Sequence, residues 1–256
     1  MMRKLAVLGL LAMSLAAPGV QAQTAAAGTV RPAANPVNPA AIQALKDMGA
    51  HLQTLKRFQV STELTGEVVL ASGQKLQHTA TADMKVVRPG MMRVAMDSAS
   101  SSRELIYDGK TLTLWTPARK YFSTVKLEDT LGGLMNRLEE KYGVQLPMED
   151  FFRWGTPDAP FDKIESAMNA GQAIVDGDLC DHYAFRQGRI DWQIWITTGS
   201  KPLPRKLVIT NRADEARPQS MQLFDWNLKP TFKDSVFKFT PPKGATAIEM
   251  LPRKTK

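Results

Sequence analysis

Phe58-Gln59-Val60-Ser61-Thr62-Glu63-Leu64-Thr65-Gly66-Glu67-Val68-Val69-Leu70 decides the reading of this chain. Phe58, Val60, Thr62, Leu64, Val68 and Leu70 alternate with Gln59, Ser61, Glu63, Thr65 and Glu67. That two-residue period belongs to a strand with one dry face and one wet face. Ala71-Ser72-Gly73-Gln74 supplies a turn, and the pattern runs back through Leu76, His78, Ala80, Ala82, Met84 and Val86. Their polar alternates are Gln77, Thr79, Thr81, Asp83 and Lys85, so the spacing predicts a long amphipathic hairpin.

Working outward, the same period continues. Arg88-Pro89-Gly90 turns the chain into Met92-Val94-Met96, a Ser-rich loop covers 98–102, and Asp108-Gly109 marks a hairpin between Arg103–Tyr107 and Thr111–Trp115. A turn through Pro117-Ala118-Arg119-Lys120 leads to Tyr121–Val125, completing a meander of antiparallel strands. Upstream, Asn38 caps a helix with Pro39 at its first position. Ile42, Leu45, Met48, Leu52 and Leu55 give that helix one apolar stripe, to about Lys56. Downstream, Leu127, Leu131, Leu134, Met135, Leu138 and Tyr142 return to helical spacing, with Gly143 as terminator. Short helices are expected over Met148–Trp154 and Phe161–Met168. Strands then resume at Ala173–Val175, Leu179–Gln187, Ile190–Thr197, Arg205–Arg212, Met221–Leu228 and Phe237–Phe239.

A helix, a meander, a block of helices and a second meander make an α+β protein, with a large antiparallel sheet and helices on one face. If the sheet curls around those helices it becomes an incomplete (half) β-barrel. No repeat or linker interrupts it, so residues 38–252 read as one domain, followed by a basic tail at 253–256. On the expected dry face Leu64, Val68, Leu70, Met84, Met92, Val94 and Met96 stand together. Methionines adapt to irregular partners, so this face suits a variable apolar ligand; the same residues also make an ordinary core.

Arg3 and Lys4 precede the apolar run Leu5–Ala17, then Pro18-Gly19, then Val20-Gln21-Ala22. These are the three parts of a secretory signal peptide, and the run falls short of the roughly 20 residues that span a bilayer. Cleavage is expected after Ala22. Gln23 rather than cysteine follows, which predicts a soluble periplasmic protein without a lipid anchor. Residues 23–37 are Ala-, Pro- and Thr-rich without periodicity and read as a disordered leader. Cys180 is the only cysteine, so no intramolecular disulfide is available. The formal charge of +8, or +6 once Arg3 and Lys4 leave with the signal, favours anionic surfaces such as a membrane face. Its basic residues are scattered rather than massed, which argues against nucleic acid.

Catalytic patterns are missing: there is no G-x-S-x-G, H-E-x-x-H, P-loop or dinucleotide fingerprint. No metal or cofactor is expected, and the reading is not an enzyme. Cys180 and His182 fall on one side of a strand two residues beyond Asp178, so a Cys–His nucleophile or a metal site is the alternative chemistry. Glu139-Glu140 and Glu149-Asp150 are expected to solvate helices. Trp192 and Trp195 lie on opposite faces of one strand.

Tyr107-Asp108-Gly109-Lys110-Thr111-Leu112-Thr113-Leu114-Trp115, Ile194-Trp195-Ile196-Thr197, Pro204-Arg205-Lys206-Leu207 and Phe237-Lys238-Phe239-Thr240-Pro241-Pro242-Lys243-Gly244 resemble the LolA/LolB/LppX-like lipoprotein-carrier superfamily. From about Asn38 to Leu251 the chain resembles a predicted periplasmic family of unknown function thought to share that fold. Met48-Gly49-Ala50-His51-Leu52, Tyr142-Gly143-Val144 and Phe151-Phe152-Arg153-Trp154-Gly155 carry this second likeness. The resemblance implies a LolA-like half-barrel with a helical lid over a hydrophobic cavity. It also implies a non-enzymatic carrier for a lipid or the acyl chain of a lipoprotein. An envelope sensor or a module contacting an envelope protein is the alternative, and a hydrolase using Cys180 and His182 the third.

Overall fold

The computed structural model describes residues 36–144, 146 and 148–253. The expected signal peptide, residues 23–35 of the expected leader and residues 254–256 of the basic tail lie outside the described residues. Helix α1 spans Pro39–Thr54; Asn38 Oδ1 accepts from the Ala40 amide at 2.9 Å, and Pro39 occupies the first turn. Its buried side is Ala41, Leu45, Met48, Gly49 and Leu52.

A first meander follows: β1 (Arg57–Val69), β2 (Lys75–Val87), β3 (Met91–Ser98), β4 (Ser101–Tyr107), β5 (Thr111–Thr116) and β6 (Tyr121–Lys126). Helix α2 (Leu131–Arg137) passes into a wider turn, Leu138–Tyr142, that ends at Gly143. The second meander is β7 (Ser166–Val175), β8 (Asp178–Gln187), β9 (Ile190–Thr197), β10 (Pro204–Asn211) and β11 (Gln219–Asn227). A two-residue β12, Thr246–Ala247, closes the series. All twelve join one sheet in the order β12-β6-β5-β4-β3-β2-β1-β11-β10-β9-β8-β7. Every neighbouring pair is antiparallel except β12, which lies parallel to β6.

The sheet is open but curled. Laid flat, twelve strands at about 4.8 Å each would span roughly 50 Å, whereas α1 is only about 24 Å long. Yet Met84, Val94, Leu105 and Leu112 of the first meander, and Phe185, Ile194, Leu207 and Phe224 of the second, meet α1 and α2 in one continuous core. Only a sheet wrapped around the helices brings both wings to them. The molecule is thus an incomplete barrel with its helices on the concave face. The C-terminal stretch covers part of the convex face, where Phe239 packs on Trp115 and Phe122 at 5.6 and 5.2 Å.

Three expected elements differ. Phe161–Met168 is not a helix: a single 3-10 turn, Phe161–Lys163, gives way to β7, whose Ala167 pairs with Phe185 and accepts the Asn38 amide at 3.0 Å. The three- and four-residue steps of Phe161, Ile164 and Met168 suited either state, and the backbone ladder with β8 decided it. Met148–Trp154 holds a 3-10 turn over Glu149–Phe152 rather than an α-helix. Phe237–Phe239 is no strand, because the chain there makes a 3-10 turn, Asp234–Phe237, lying across the sheet.

The segment between α2 and β7 forms a cap that meets α1 through two glycines, Gly49 and Gly155. A Cβ on Gly49 would stand 2.4 Å from the Gly155 nitrogen, and Gly155 itself has φ +79°. Backbone on both sides leaves nothing flexible to give way. Gly49→Ala is therefore expected to lower the unfolding free energy by about 1–3 kcal/mol, read as a fall in the urea midpoint. An unchanged midpoint would show that this contact does not hold the cap.

Candidate functional site

The concave face is filled at one end and bare at the other. At the filled end Phe151 from the cap lies 5.1 Å from both Phe224 and Trp226, and Phe58 packs at a tilt against Trp226 at 5.7 Å. Gln53 of α1 donates to the Trp154 carbonyl at 2.6 Å and holds the cap down. Met84, Met92 and Val94 are fully buried in this packing. Three of the seven candidate ligand residues therefore belong to the protein's own core, where thioether and branched side chains fill the space under α1 and α2.

The other four point toward the bare end. Leu64 and Met96 are half-buried at the core's margin, while Val68 and Leu70 are 50% and 38% exposed. An open groove of about 640 Å³ runs there, lined by Leu64, Val68, His78, Ala80, Ser98 and Gln222 among others. Leu64 and Val68 line it directly. Leu70 lies just past the end of β1 in the turn, its amide donating to the Gln74 carbonyl at 2.9 Å. Sequence reasoning did not offer Ser220 or Gln222 as part of this surface. They arrive because β11 lies antiparallel to β1, with Leu64 opposite Gln222 and Gly66 opposite Ser220. The Gln222 side-chain oxygen is buried without a hydrogen-bond partner.

Cys180 and His182 do share the outer face of β8, but neither is poised for attack. Cys180 is fully buried, its thiol donates to the Asp178 carbonyl at 3.6 Å, and burial with the nearby Asp178 charge pushes its pKa up to about 11. A thiol at that value is almost wholly protonated and inert at neutral pH. His182 stacks flat on Trp195 at 4.0 Å and meets Gln193 at 3.0 Å; Lys206 covers the same indole at 4.7 Å. Among the described residues no three His, Cys, Asp or Glu side chains are grouped to hold a metal ion.

The carboxylates of the cap do more than solvate it. Glu139 pairs with Arg153, Glu149 accepts the Leu146 amide at 3.2 Å, and burial raises the Asp150 pKa, with Arg153 opposing and Glu139 adding to the rise. A carboxyl whose folded pKa lies above its unfolded value makes the native state bind more protons, so its charging costs stability as pH climbs through that range.

Residues 41–251 match the family described as "Predicted periplasmic protein (DUF2092)". No curated protein matches the sequence. Among solved structures, an uncharacterized conserved protein from Thermus thermophilus shares 11% identity at a TM-score of 0.47, covering 82% of this chain and 99% of its own. LprF from Mycobacterium bovis shares 15% at 0.45, covering 83% and 100%. A LolA superfamily protein from Nitrosomonas europaea shares 12% at 0.38, covering 78% and 97%. At such identities a likeness says nothing of the ligand. No helix among the described residues is long and apolar enough to cross a membrane.

Two outcomes follow for the groups above. A thiol reagent should label Cys180 at neutral pH only after urea unfolding; labelling of the folded chain would refute the buried thiol. Asp150→Asn should raise the unfolding free energy at pH 7, the gain shrinking in acid as the native carboxyl takes up its proton; equal stability at every pH would refute the raised pKa. The match across residues 41–251 leaves no doubt of kinship: the chain belongs to the DUF2092 family of predicted periplasmic proteins.

Proposed function

We propose that this chain is an exported, soluble, non-enzymatic binding or carrier protein that holds the acyl chain of a lipid or acylated protein along the bare half of its concave face. The observation that carries the reading is the groove of about 640 Å³, where Leu64 and Val68 leave apolar surface in water on the inner side of a curled sheet. Its size falls in the range of small-molecule sites. Apolar side chains standing open inside a barrel, beside an end of that face packed under the helices, mark a surface kept for a partner. The signal-peptide layout of residues 1–22 and the family's periplasmic description support the compartment.

Binding here comes from removing apolar area from water, at about 25 cal/mol per Å² before ordering costs. Such a groove discriminates weakly between chains of similar length. Because Met84, Met92 and Val94 already fill the deeper half, the guest lies along the strand ends rather than under the helices.

Native mass spectrometry of the chain purified without detergent tests this, together with titration of a fluorescent fatty-acid probe. Bound lipid, or probe uptake abolished by the paired change Leu64→Asp and Val68→Asp, is the expected result. Cys180→Ala should leave uptake unchanged. A lipid-free chain that takes up no probe overturns the reading, and a stable envelope-protein complex recovered from it by crosslinking would move the assignment to a protein-contact module.

A further inference from the structure

A second cavity of about 620 Å³ opens on the inner face of the first meander, between β4–β6 and the C-terminal stretch. Residues 248–251 form its outer wall, anchored where the Ile248 amide donates to the Phe122 carbonyl at 2.8 Å. Arg103 enters from β4, Leu114 from β5, Arg119 from the β5–β6 turn, and Tyr121 and Ser123 from β6. Strand register sets the order: Arg103 stands opposite Met96, and Leu114 opposite Ser123.

Two independent features point to a ligand. The Ser123 hydroxyl is buried without any hydrogen-bond partner, and the residue is only 6% exposed. Buried hydroxyls are normally satisfied, so one left over inside a cavity wall is fitted to a group that comes from outside. The second feature is charge. Several arginines of this fold are paired, among them Arg93 with Glu104, Arg186 with Asp191 and Arg205 with Asp178. Arg103 and Arg119 form no ion pair among the described residues, and Glu249, the one carboxylate on the wall, neutralises neither. Guanidinium groups present planar donor forks that match carboxylate and phosphate oxygens. Beside them Leu114, Tyr121, Ile248 and Leu251 are apolar, and Tyr121, Ile248 and Leu251 are exposed.

This cavity also meets the acyl groove, since Ser100 of the β3–β4 turn lines both. We infer that it binds the anionic head group, phosphate or carboxylate, of the amphiphile whose chain lies in the groove. Arg103 and Arg119 pair with the head group, and Ser123 donates to one of its oxygens. The inference rests on the acyl-binding reading and adds the ligand's charge to it.

The test is calorimetric titration of the whole chain with three probes below their micellar concentrations: dodecyl phosphate, the uncharged 1-monolauroylglycerol, and inorganic phosphate. Dodecyl phosphate should bind about tenfold more tightly than the monoglyceride, the scale of one charge-assisted contact. The preference should weaken with salt. In the double variant Arg103→Gln, Arg119→Gln it should vanish while monoglyceride affinity stays. Ser123→Ala, a smaller change, should reduce the preference without altering monoglyceride binding. Equal affinity for the charged and uncharged probes, or a preference that survives the double variant, overturns the head-group inference and leaves the acyl reading standing. Displacement by inorganic phosphate at matching concentrations assigns the cavity to a free anion and overturns it as well. Binding of neither amphiphile defeats the acyl reading itself.

Discussion

The pairing of β1 with β11 is the constraint on which the rest depends. Eight antiparallel pairs, from Gln59 opposite Asn227 to Gly66 opposite Ser220, join a strand near the beginning of the described chain to one near its end. Without them the two meanders would be separate sheets, each with an unpaired edge beside its hydrophobic face. With them, the wings share one concave surface, and α1 can bury its stripe against both. The same ladder brings Phe224 and Trp226 under the Phe151 ring and sets Gln222 beside Leu64. Core and groove are consequences of one long-range register.

That concave surface is divided between the protein and its surroundings. Two helices and a cap cover less length than the strands of β1 and β2 provide, so the inner residues pass from buried to exposed along each strand. On β1 the sequence Phe58, Val60, Thr62, Leu64, Val68 follows that gradient, buried for the first three, half-buried for Leu64 and exposed for Val68. The helices stabilise the fold by filling one end. Their shortness leaves the other end apolar and wet, and that mismatch is what leaves the groove open.

The convex face is closed by different means. The C-terminal stretch lays Phe239 over Trp115 and Phe122, and β12 pairs with the edge of β6. On the second wing, His182, Trp195 and Lys206 stack across three neighbouring strands. These contacts explain why Cys180 and His182, neighbours in sequence and on one face, serve packing: one is buried as a protonated thiol, and the other is held flat against an indole. Shared orientation on a strand is necessary for a nucleophile–base pair but does not create one.

How much of this was legible in the chain follows from which forces are local. Alternation along 58–70 and 75–87, the Asp108-Gly109 turn and the Asn38-Pro39 start are decided by side-chain periodicity and backbone preference over a few residues, and the hairpins and α1 stand where those signals put them. Phe161–Met168 was not decidable in that way, because its apolar spacing suits a helix or a strand and only the partner β8 distinguishes them. The inner face itself could be named from period two. Which of its members a helix would cover could not, since Met84 and Val68 occupy equivalent places in the pattern and differ only in their distance from α1 and the cap. The sequence alone determined the sheet, its dry face and the kinship. Tertiary structure decided where that face stays open, because burial depends on what stacks above a residue, and no local pattern encodes it.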